Sequence, residues 1–211
     1  MEEFEFDTKF QHPFSMLISG TSGSGKSVFT KKLVGERVSP KLEKVFWFYG
    51  EWQPTYSDAP PNVTFVPGMP SSIDTYIEGV EGPKAVVFDD LMMKAADSEM
   101  LAECFTQKRH HHNLSVVLIL QNLFIQGRMM RNVQLNTQYM VLLNNPRDKS
   151  QIATLARQVE PGRANQVVQA YTDATSKKYG NFLIDLKPET PQQLRYRTEV
   201  LKDIQLIYKL Q

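Results

Sequence analysis

The stretch Gly20-Thr21-Ser22-Gly23-Ser24-Gly25-Lys26-Ser27 decides how the rest of this 211-residue chain is interpreted. A short apolar run at residues 14–18 precedes it, and a helix-forming stretch begins at Val28. The spacing satisfies G-x-x-x-x-G-K-[ST], the pattern of a phosphate-binding P-loop. Its glycines let backbone N–H groups turn towards a phosphate, and the N-terminus of the next helix adds a positive dipole end. We therefore predict that residues 20–28 bind the phosphates of a nucleotide.

Two side chains of this motif have specific predicted roles. Lys26 is expected to contact the β- and γ-phosphates and so to take part in catalysis, and the Ser27 hydroxyl is expected to bind Mg²⁺. The alternative is a flexible Gly/Ser loop that only connects two elements. The complete motif between an apolar run and a helix favours the P-loop.

Composition excludes several classes of protein. The formal net charge is +1, which argues against a protein that coats DNA through bulk electrostatics. Cys104 is the only cysteine, so no disulfide can form within the chain and a reducing, intracellular setting is expected. No run of 18 apolar residues is present, so we expect no membrane span. The acidic first residues are unlike a secretory signal.

Apolar runs rich in β-formers alternate with helix-like stretches along the chain. Strands are predicted at residues 14–19, 44–49, 63–66, 84–90, 114–121, 139–143 and 181–186, and the main helices at 25–36, 98–110, 149–158 and 162–172. The runs at 84–90 and 114–121 are continuously apolar, which is typical of parallel strands covered on both faces. The alternation predicts one α/β domain over residues 1–211.

The two ends of the chain are expected to lie outside this alternating core. Residues 1–13 are predicted to be an extended lead-in and residues 187–211 a C-terminal extension. Within the extension, Val200, Leu201, Ile204 and Ile207 recur at helical spacing. This spacing predicts an amphipathic helix from Thr198 to Leu210, which would pack on the core of this subunit or on a neighbour.

Polar residues follow two of the apolar strands at their carboxyl ends, where ligands of such sheets bind. Asp89 and Asp90 end one strand, at the Walker B position. We predict that Asp89 holds the Mg²⁺ shell and that Asp90 is the general base. Gln121 ends another strand and is expected to orient the attacking water. The alternatives are an ordinary Asp-Asp turn and a plain strand end.

A basic segment, residues 108–113, lies between a predicted helix and a predicted strand. Its three consecutive histidines do not have the spacing of a metal site, since adjacent side chains do not converge on one ion. Arg109 could stabilise transferred charge near the carboxyl edge of the sheet or at a subunit border. Arg128, Arg131 and Arg147 are rivals for that role, and each could equally be a solvated surface arginine.

Taken together, these motifs resemble the HerA/FtsK-type ring ATPases. The resemblance is strongest to their viral genome-packaging branch, found in poxvirus-like, Polinton/Maverick and adintovirus elements. It covers roughly residues 14–200 and rests on the segments 20–27, 85–90, 107–110, 115–121, 135–139, 145–148 and 179–185. The P-loop alone indicates only a superfamily, whereas the ordered set of segments is far more specific.

The resemblance implies a RecA-like, additional-strand P-loop fold, with a mostly parallel central sheet and helices on both faces. It implies ATP and Mg²⁺ as cofactors and a homo-oligomeric ring, a hexamer or pentamer, that threads double-stranded DNA towards a capsid or portal vertex. Arg109 matches the arginine finger that acts in trans, with Arg147 as the second choice. Candidate DNA contacts are Arg128, Arg131, Lys177 and Lys178. The expected location is the infected cell, in a virus factory or the nucleus, or the virion vertex.

Two other classes of function stay open at this point. A small nucleoside or nucleotide kinase would have a similar length and P-loop, but usually carries clustered lid arginines, and the arginines here are scattered. A non-catalytic, nucleotide-gated assembly protein is disfavoured by the intact Lys26, Ser27 and Asp89. The Asp89-Asp90 pair and Gln121 favour attack by water on the γ-phosphate.

Overall fold

The structure, a computed structural model, describes residues 8–91, 97–108, 112–147 and 149–211. The strands in these ranges are β1 (Phe10–Gln11), β2 (Ser15–Ser19), β3 (Val38–Ser39), β4 (Lys44–Tyr49), β5 (Val63–Pro67), β6 (Lys84–Asp89), β7 (Leu114–Leu120), β8 (Tyr139–Leu143), β9 (Asn181–Asp185), β10 (Tyr196–Thr198) and β11 (Leu206–Ile207). The helices are α1 (Lys26–Glu36), α2 (Asp74–Ile77), α3 (Glu99–Glu103), α4 (Met130–Leu135), α5 (Lys149–Val159) and α6 (Ala164–Ala174).

Nine strands form one sheet in the order β11-β10-β9-β8-β2-β7-β6-β4-β5. The six strands from β8 to β5 are parallel, and β9, β10 and β11 extend the sheet with antiparallel pairings. Strand β7 lies between β2, which precedes the P-loop, and β6, which ends at Asp89. An additional strand therefore separates the strand before the P-loop from the strand that ends at Asp89, and the predicted mostly parallel α/β sheet is confirmed.

The sheet is covered on both faces because alternate side chains of each strand point to opposite sides. Met16 and Ile18 of β2 pack in a core with Leu33 of α1, whereas Leu17 belongs to a second core with Leu155 of α5. All five residues are buried. Helices on both faces, as predicted, exclude water from the central strands.

The main helices begin and end near their predicted positions, with one exception. The helix expected over 98–110 is shorter: α3 begins after Ser98, whose Oγ accepts a hydrogen bond from Leu101 N at 3.1 Å. It gives way to a π-helical turn at Cys104–Lys108, and residues 109–111 lie outside the described ranges. The longest helices described have 11 residues, so none of them could cross a bilayer.

The prediction of an amphipathic helix from Thr198 to Leu210 is wrong. Thr198 ends β10, and Leu206 of β11 pairs with it in an antiparallel hairpin. The residues taken as one apolar face are not on one face, since Val200 is buried in the core and Ile204 is 80% exposed. Backbone pairing with the sheet edge, which the apolar spacing does not report, determines the conformation of this segment.

Arg37 joins both ends of the chain to the core. It follows α1, is buried, and donates hydrogen bonds to the Thr8 hydroxyl at 3.0 Å and to the Lys202 carbonyl at 2.7 Å. It also pairs with Asp203 at 2.7 Å, although the Asp203 side chain is 97% exposed. The bond to the Lys202 carbonyl is therefore expected to contribute more than the ion pair, because an exposed partner is screened by water.

We predict that Arg37→Met lowers the free energy of unfolding by about 1–3 kcal/mol, since it removes the donor from a backbone carbonyl. The matched variant Asp203→Asn should cost at most about 1 kcal/mol. Urea unfolding followed by circular dichroism measures both. An equal loss of unfolding free energy in the two variants would show that the ion pair, and not the hydrogen bond to the carbonyl, holds the C-terminal extension.

Candidate nucleotide-binding site

The P-loop connects the end of β2 to the start of α1. Gly23 and Gly25 have φ values of 78° and 96°, in the left-handed region that glycine adopts most easily. Gly25 is the N-cap of α1, and no side chain of the described residues caps this helix end. The N–H groups of the first helical turn therefore remain available to an anion, as the motif predicts.

Lys26 lies folded over the loop that precedes it. Its Nζ donates to the carbonyl oxygens of Gly20 at 2.7 Å and Thr21 at 2.8 Å. Burial lowers the pKa of Lys26, and the nearby Asp89 and Asp90 carboxylates oppose that shift. A phosphate that enters the loop would thus meet a cation that has already lost part of its hydration.

Asp89 and Ser27 are in direct contact, as predicted for a Mg²⁺ site. The Ser27 hydroxyl donates to Asp89 Oδ2 at 2.8 Å, and only 3% of Asp89 is exposed. Burial raises the pKa of Asp89, although hydrogen bonds from Ser27 and Tyr56 and the charge of Lys26 act against this shift. A hydroxyl and a carboxylate are the hard oxygen ligands that Mg²⁺ takes beside phosphates, so these two residues fit the ion.

Tyr56 is a site residue that the sequence did not reveal. Its hydroxyl donates to the same Asp89 Oδ2 at 2.8 Å, and its ring stacks on Phe65 with centroids 4.7 Å apart and tilts against Trp47 at 5.7 Å. Burial raises the pKa of Tyr56, so the phenol stays a proton donor. Tyr56 lies in the connection between β4 and β5. It reaches Asp89 because β4 is next to β6 in the sheet, and residue spacing in the sequence does not indicate which strands are neighbours.

Asp90 and Gln121 meet at the carboxyl edge of the sheet. Asp90 is exposed, and Gln121 Nε2 lies 3.4 Å from its Oδ1. The backbone of Asp90 has a φ of 56° and packs so closely on Gly50 that any side chain at Gly50 would overlap the Asp90 carbonyl oxygen. Gly50 therefore permits the close approach of the Asp90 backbone at the end of β6.

One cavity of about 560 Å³ borders Lys26, Ser27, Asp89, Asp90 and Gln121. Its walls are Ser22, Gly23, Gly25, Lys26, Ser27, Val28, Phe29, Lys32, Gln53, Thr55, Asp89, Asp90, Ile119, Leu120, Gln121, Leu143, Tyr179, Asn181 and Leu201. Gly20, Thr21 and Ser24 of the same loop are not among these residues: Thr21 Oγ1 donates to the Asn144 carbonyl at 3.3 Å, and Ser24 N donates to the Thr21 carbonyl at 3.1 Å. The structure thus brings the predicted Walker A and Walker B residues together at one opening.

Of the two predicted arginine fingers, only Arg147 is among the described residues, and it does not line this opening. Arg109 lies outside the described residues. Arg147 is exposed in the turn after β8, where its N–H donates to the Asn145 side chain at 3.3 Å. Their roles stay predictions, because a residue that acts in trans reaches the site of a second copy.

The four candidate DNA contacts fall into two groups. Arg128 and Arg131 are exposed on the segment that follows β7, and Arg128 pairs with Glu99 at 3.2 Å in a largely exposed ion pair. Lys177 and Lys178 are exposed in the turn after α6, and Lys178 Nζ lies 5.0 Å above the ring centroid of Tyr179. The second group therefore lies next to the nucleotide cavity, while DNA contact stays a prediction for all four.

Comparison with known proteins gives no match to a protein-family model and none to a curated protein sequence. Solved structures do match. The genome packaging NTPase B204 from Sulfolobus turreted icosahedral virus 2, in complex with ATP-gammaS, has a TM-score of 0.57 at 14% identity, over 94% of this chain and 97% of that one.

Two further structures agree. B204, the DNA-packaging ATPase from Sulfolobus turreted icosahedral virus, has a TM-score of 0.55 at 15% identity, over 95% of this chain and 99% of that one. The cytoplasmic domain of the type VII secretion ATPase EccC from Thermomonospora curvata has a TM-score of 0.52 at 15% identity, over 93% of this chain and 25% of that one. The fold of this chain is therefore similar to the fold of these three ATPases, which confirms the predicted fold class.

Proposed function

We propose that this chain hydrolyses ATP and uses the energy to move double-stranded DNA into a viral capsid, acting as a homo-oligomeric ring. The observation that carries the proposal is the hydrogen bond between Ser27 and Asp89 beside the P-loop, with Asp90 and Gln121 at the same opening. The similarity in fold to B204, a DNA-packaging ATPase, over nearly the whole of both chains supports the packaging role.

Nucleotide binding follows from the charges around the loop. The free N–H groups of α1 and the Lys26 cation would hold the phosphates, and Ser27 and Asp89 would hold Mg²⁺. When bound, Mg²⁺ neutralises charge on the phosphate oxygens. Tyr56 keeps Asp89 oriented, because its hydroxyl and that of Ser27 donate to the same carboxylate oxygen.

The hydrolytic step is assigned to the two groups at the edge of the cavity. Asp90 takes a proton from water as the water oxygen attacks the γ-phosphorus, and the bond to the ADP oxygen breaks. Gln121 orients that water through its side-chain amide. Gln121 Nε2 donates a long hydrogen bond of 3.4 Å to Asp90 Oδ1, which keeps the two side chains adjacent.

A ring places a second subunit beside each cavity. In a head-to-tail ring one face supplies Lys26, Ser27 and Asp89, and the opposite face supplies Arg109 or, as the second choice, Arg147. The near-neutral net charge is compatible with DNA in a pore, because each subunit needs only a few basic residues there. The proposed setting is the infected cell or the virion vertex, with a capsid or portal protein as partner.

The first test is phosphate release from ATP, measured with and without duplex DNA and with a panel of nucleosides. Lys26→Ala should abolish tight ATP binding or turnover, because the positive charge opposite the γ-phosphate is lost. The exposed Lys41 serves as a matched control, and Lys41→Ala should behave like the wild type. Normal turnover by Lys26→Ala would remove the P-loop assignment, and transfer of phosphate to a nucleoside would identify a kinase.

The second prediction separates the two aspartates. Asp90→Asn should retain binding of ATP with Mg²⁺ but lose hydrolysis by a factor on the order of 10²–10⁴, since the base is lost. Asp89→Asn should weaken the Mg²⁺-dependent part of binding, and Tyr56→Phe should raise the Mg²⁺ requirement by roughly 10-fold. Magnesium titrations of ATP binding and turnover measure these effects. Normal hydrolysis by Asp90→Asn would place the base elsewhere.

The third prediction tests the ring. Arg109→Ala should bind ATP nearly normally, but its rate of ATP hydrolysis should fall by a factor of roughly 10³–10⁵. This is the effect of known arginine fingers that act in trans. Mixing Arg109→Ala with Lys26→Ala subunits should restore turnover at interfaces that pair two intact halves. A monomeric enzyme would show no recovery. If mixed rings are shown to form and turnover stays absent, Arg109 is not the trans residue, and the same experiment applies to Arg147.

A further inference from the structure

The nucleotide cavity extends to both sides of the P-loop strand, and the proposed phosphate chemistry uses only one of them. Strands β7 and β6, which lead to Gln121 and Asp89, lie on one side of β2. Strands β8 and β9 lie on the other, where Asn181 begins β9 and lines the cavity together with Leu201. This second side of the cavity has no role in the proposed phosphate chemistry, so it could receive another part of the nucleotide.

Tyr179 is the main aromatic group on this side. A Cβ atom added to Gly25 would lie 2.8 Å from Tyr179 Cδ1, and the next ring atoms are Cε1 and Cγ, so the P-loop meets an edge of the ring. Tyr179 is 60% exposed, and Val28, which lines the same cavity, is 41% exposed. Two large apolar side chains thus share one exposed wall beside the phosphate site.

The backbone of Tyr179 is held in an unfavourable conformation. Its φ is 62°, a region that bulky residues rarely occupy and that glycine adopts freely. The next residue fixes the turn: Gly180 N donates to the Lys177 carbonyl at 2.9 Å, and any side chain at Gly180 would overlap the Ala174 carbonyl oxygen. Strain of this kind persists where the surroundings impose it, often at ligand sites, and here its result is a ring placed against the P-loop.

We propose that Tyr179 is the platform on which the base of the bound ATP stacks. Lys178 Nζ lies above one face of the ring and Gly25 meets its edge, yet the residue stays 60% exposed, so a planar base has room to stack on it. Purines have the larger stacking surface, so they gain most from such a platform. This inference rests on the proposed nucleotide binding and adds the residue that recognises the base.

The test compares nucleotides with inorganic tripolyphosphate, which has the phosphates but no base. Equilibrium binding is measured by calorimetry for ATP, UTP and tripolyphosphate, with wild-type protein, Tyr179→Ala and Tyr179→Phe. Tyr179→Ala should bind ATP roughly 10- to 100-fold more weakly, the usual effect of removing a stacking side chain. Its affinity for tripolyphosphate should stay within about twofold of the wild type, and its preference for ATP over UTP should shrink. Tyr179→Phe, which keeps the ring, should bind ATP like the wild type.

Each other result contradicts the proposal in a distinct way. Equal weakening of ATP and tripolyphosphate by Tyr179→Ala would show that the ring only supports the P-loop. Unchanged ATP affinity would show that the base lies elsewhere. If wild-type protein binds neither ATP nor tripolyphosphate, the proposed nucleotide-binding function fails, and the role of Tyr179 fails with it. A thermal unfolding midpoint for Tyr179→Ala close to that of the wild type confirms that the binding data report on the site.

Discussion

The hydrogen bond from the Ser27 hydroxyl to Asp89 is the contact on which the site depends, and the sheet register makes it possible. Ile18 of β2 lies level with Ile119 of β7, and Ile119 lies level with Asp89 of β6. The three strands therefore end at nearly the same height. A shift of one residue in the pairing of β6 with β7 would turn Asp89 to the opposite face of the sheet and away from Ser27.

The contact between Ser27 and Asp89 is important because Asp89 is buried. Asp89 is almost inaccessible, and burial raises its pKa, so the charged carboxylate depends on the donors around it and not on water. Ser27 and Tyr56 supply two of these donors, and Lys26 supplies an opposite charge. Tyr56 is itself fixed by aromatic packing against Phe65 and Trp47. The outer strands of the sheet thus contribute to the orientation of a group at its centre.

The antiparallel end of the sheet has a different role. Strands β9 and β10 are joined by a buried ion pair between Asp185 and Arg197 at 2.7 Å, beside their backbone pairing. Because each of these charges is buried with its partner, removal of either one would leave the other uncompensated in the core. This end holds the turn that carries Tyr179 and the segment that carries Leu201, so it builds the far wall of the nucleotide cavity.

The sequence was sufficient for the P-loop, for the parallel strands and for the meeting of Ser27, Asp89, Asp90 and Gln121. These features depend on local spacing and on continuous apolar runs, and the carboxyl ends of parallel strands always share one edge. The same reasoning failed for the C-terminal segment, where apolar residues at helical spacing belong to a hairpin at the edge of the sheet.

Sequence reasoning also missed Tyr56 and the ring contact of Tyr179 with Gly25, which only the tertiary structure decided. Both depend on which strands are neighbours and on the path of loops between them. Local propensity and periodicity describe what a segment can form by itself. The order of strands, the pairing of edges and the burial of single side chains are set by contacts between residues far apart in the chain, and these follow from the packing of the whole domain.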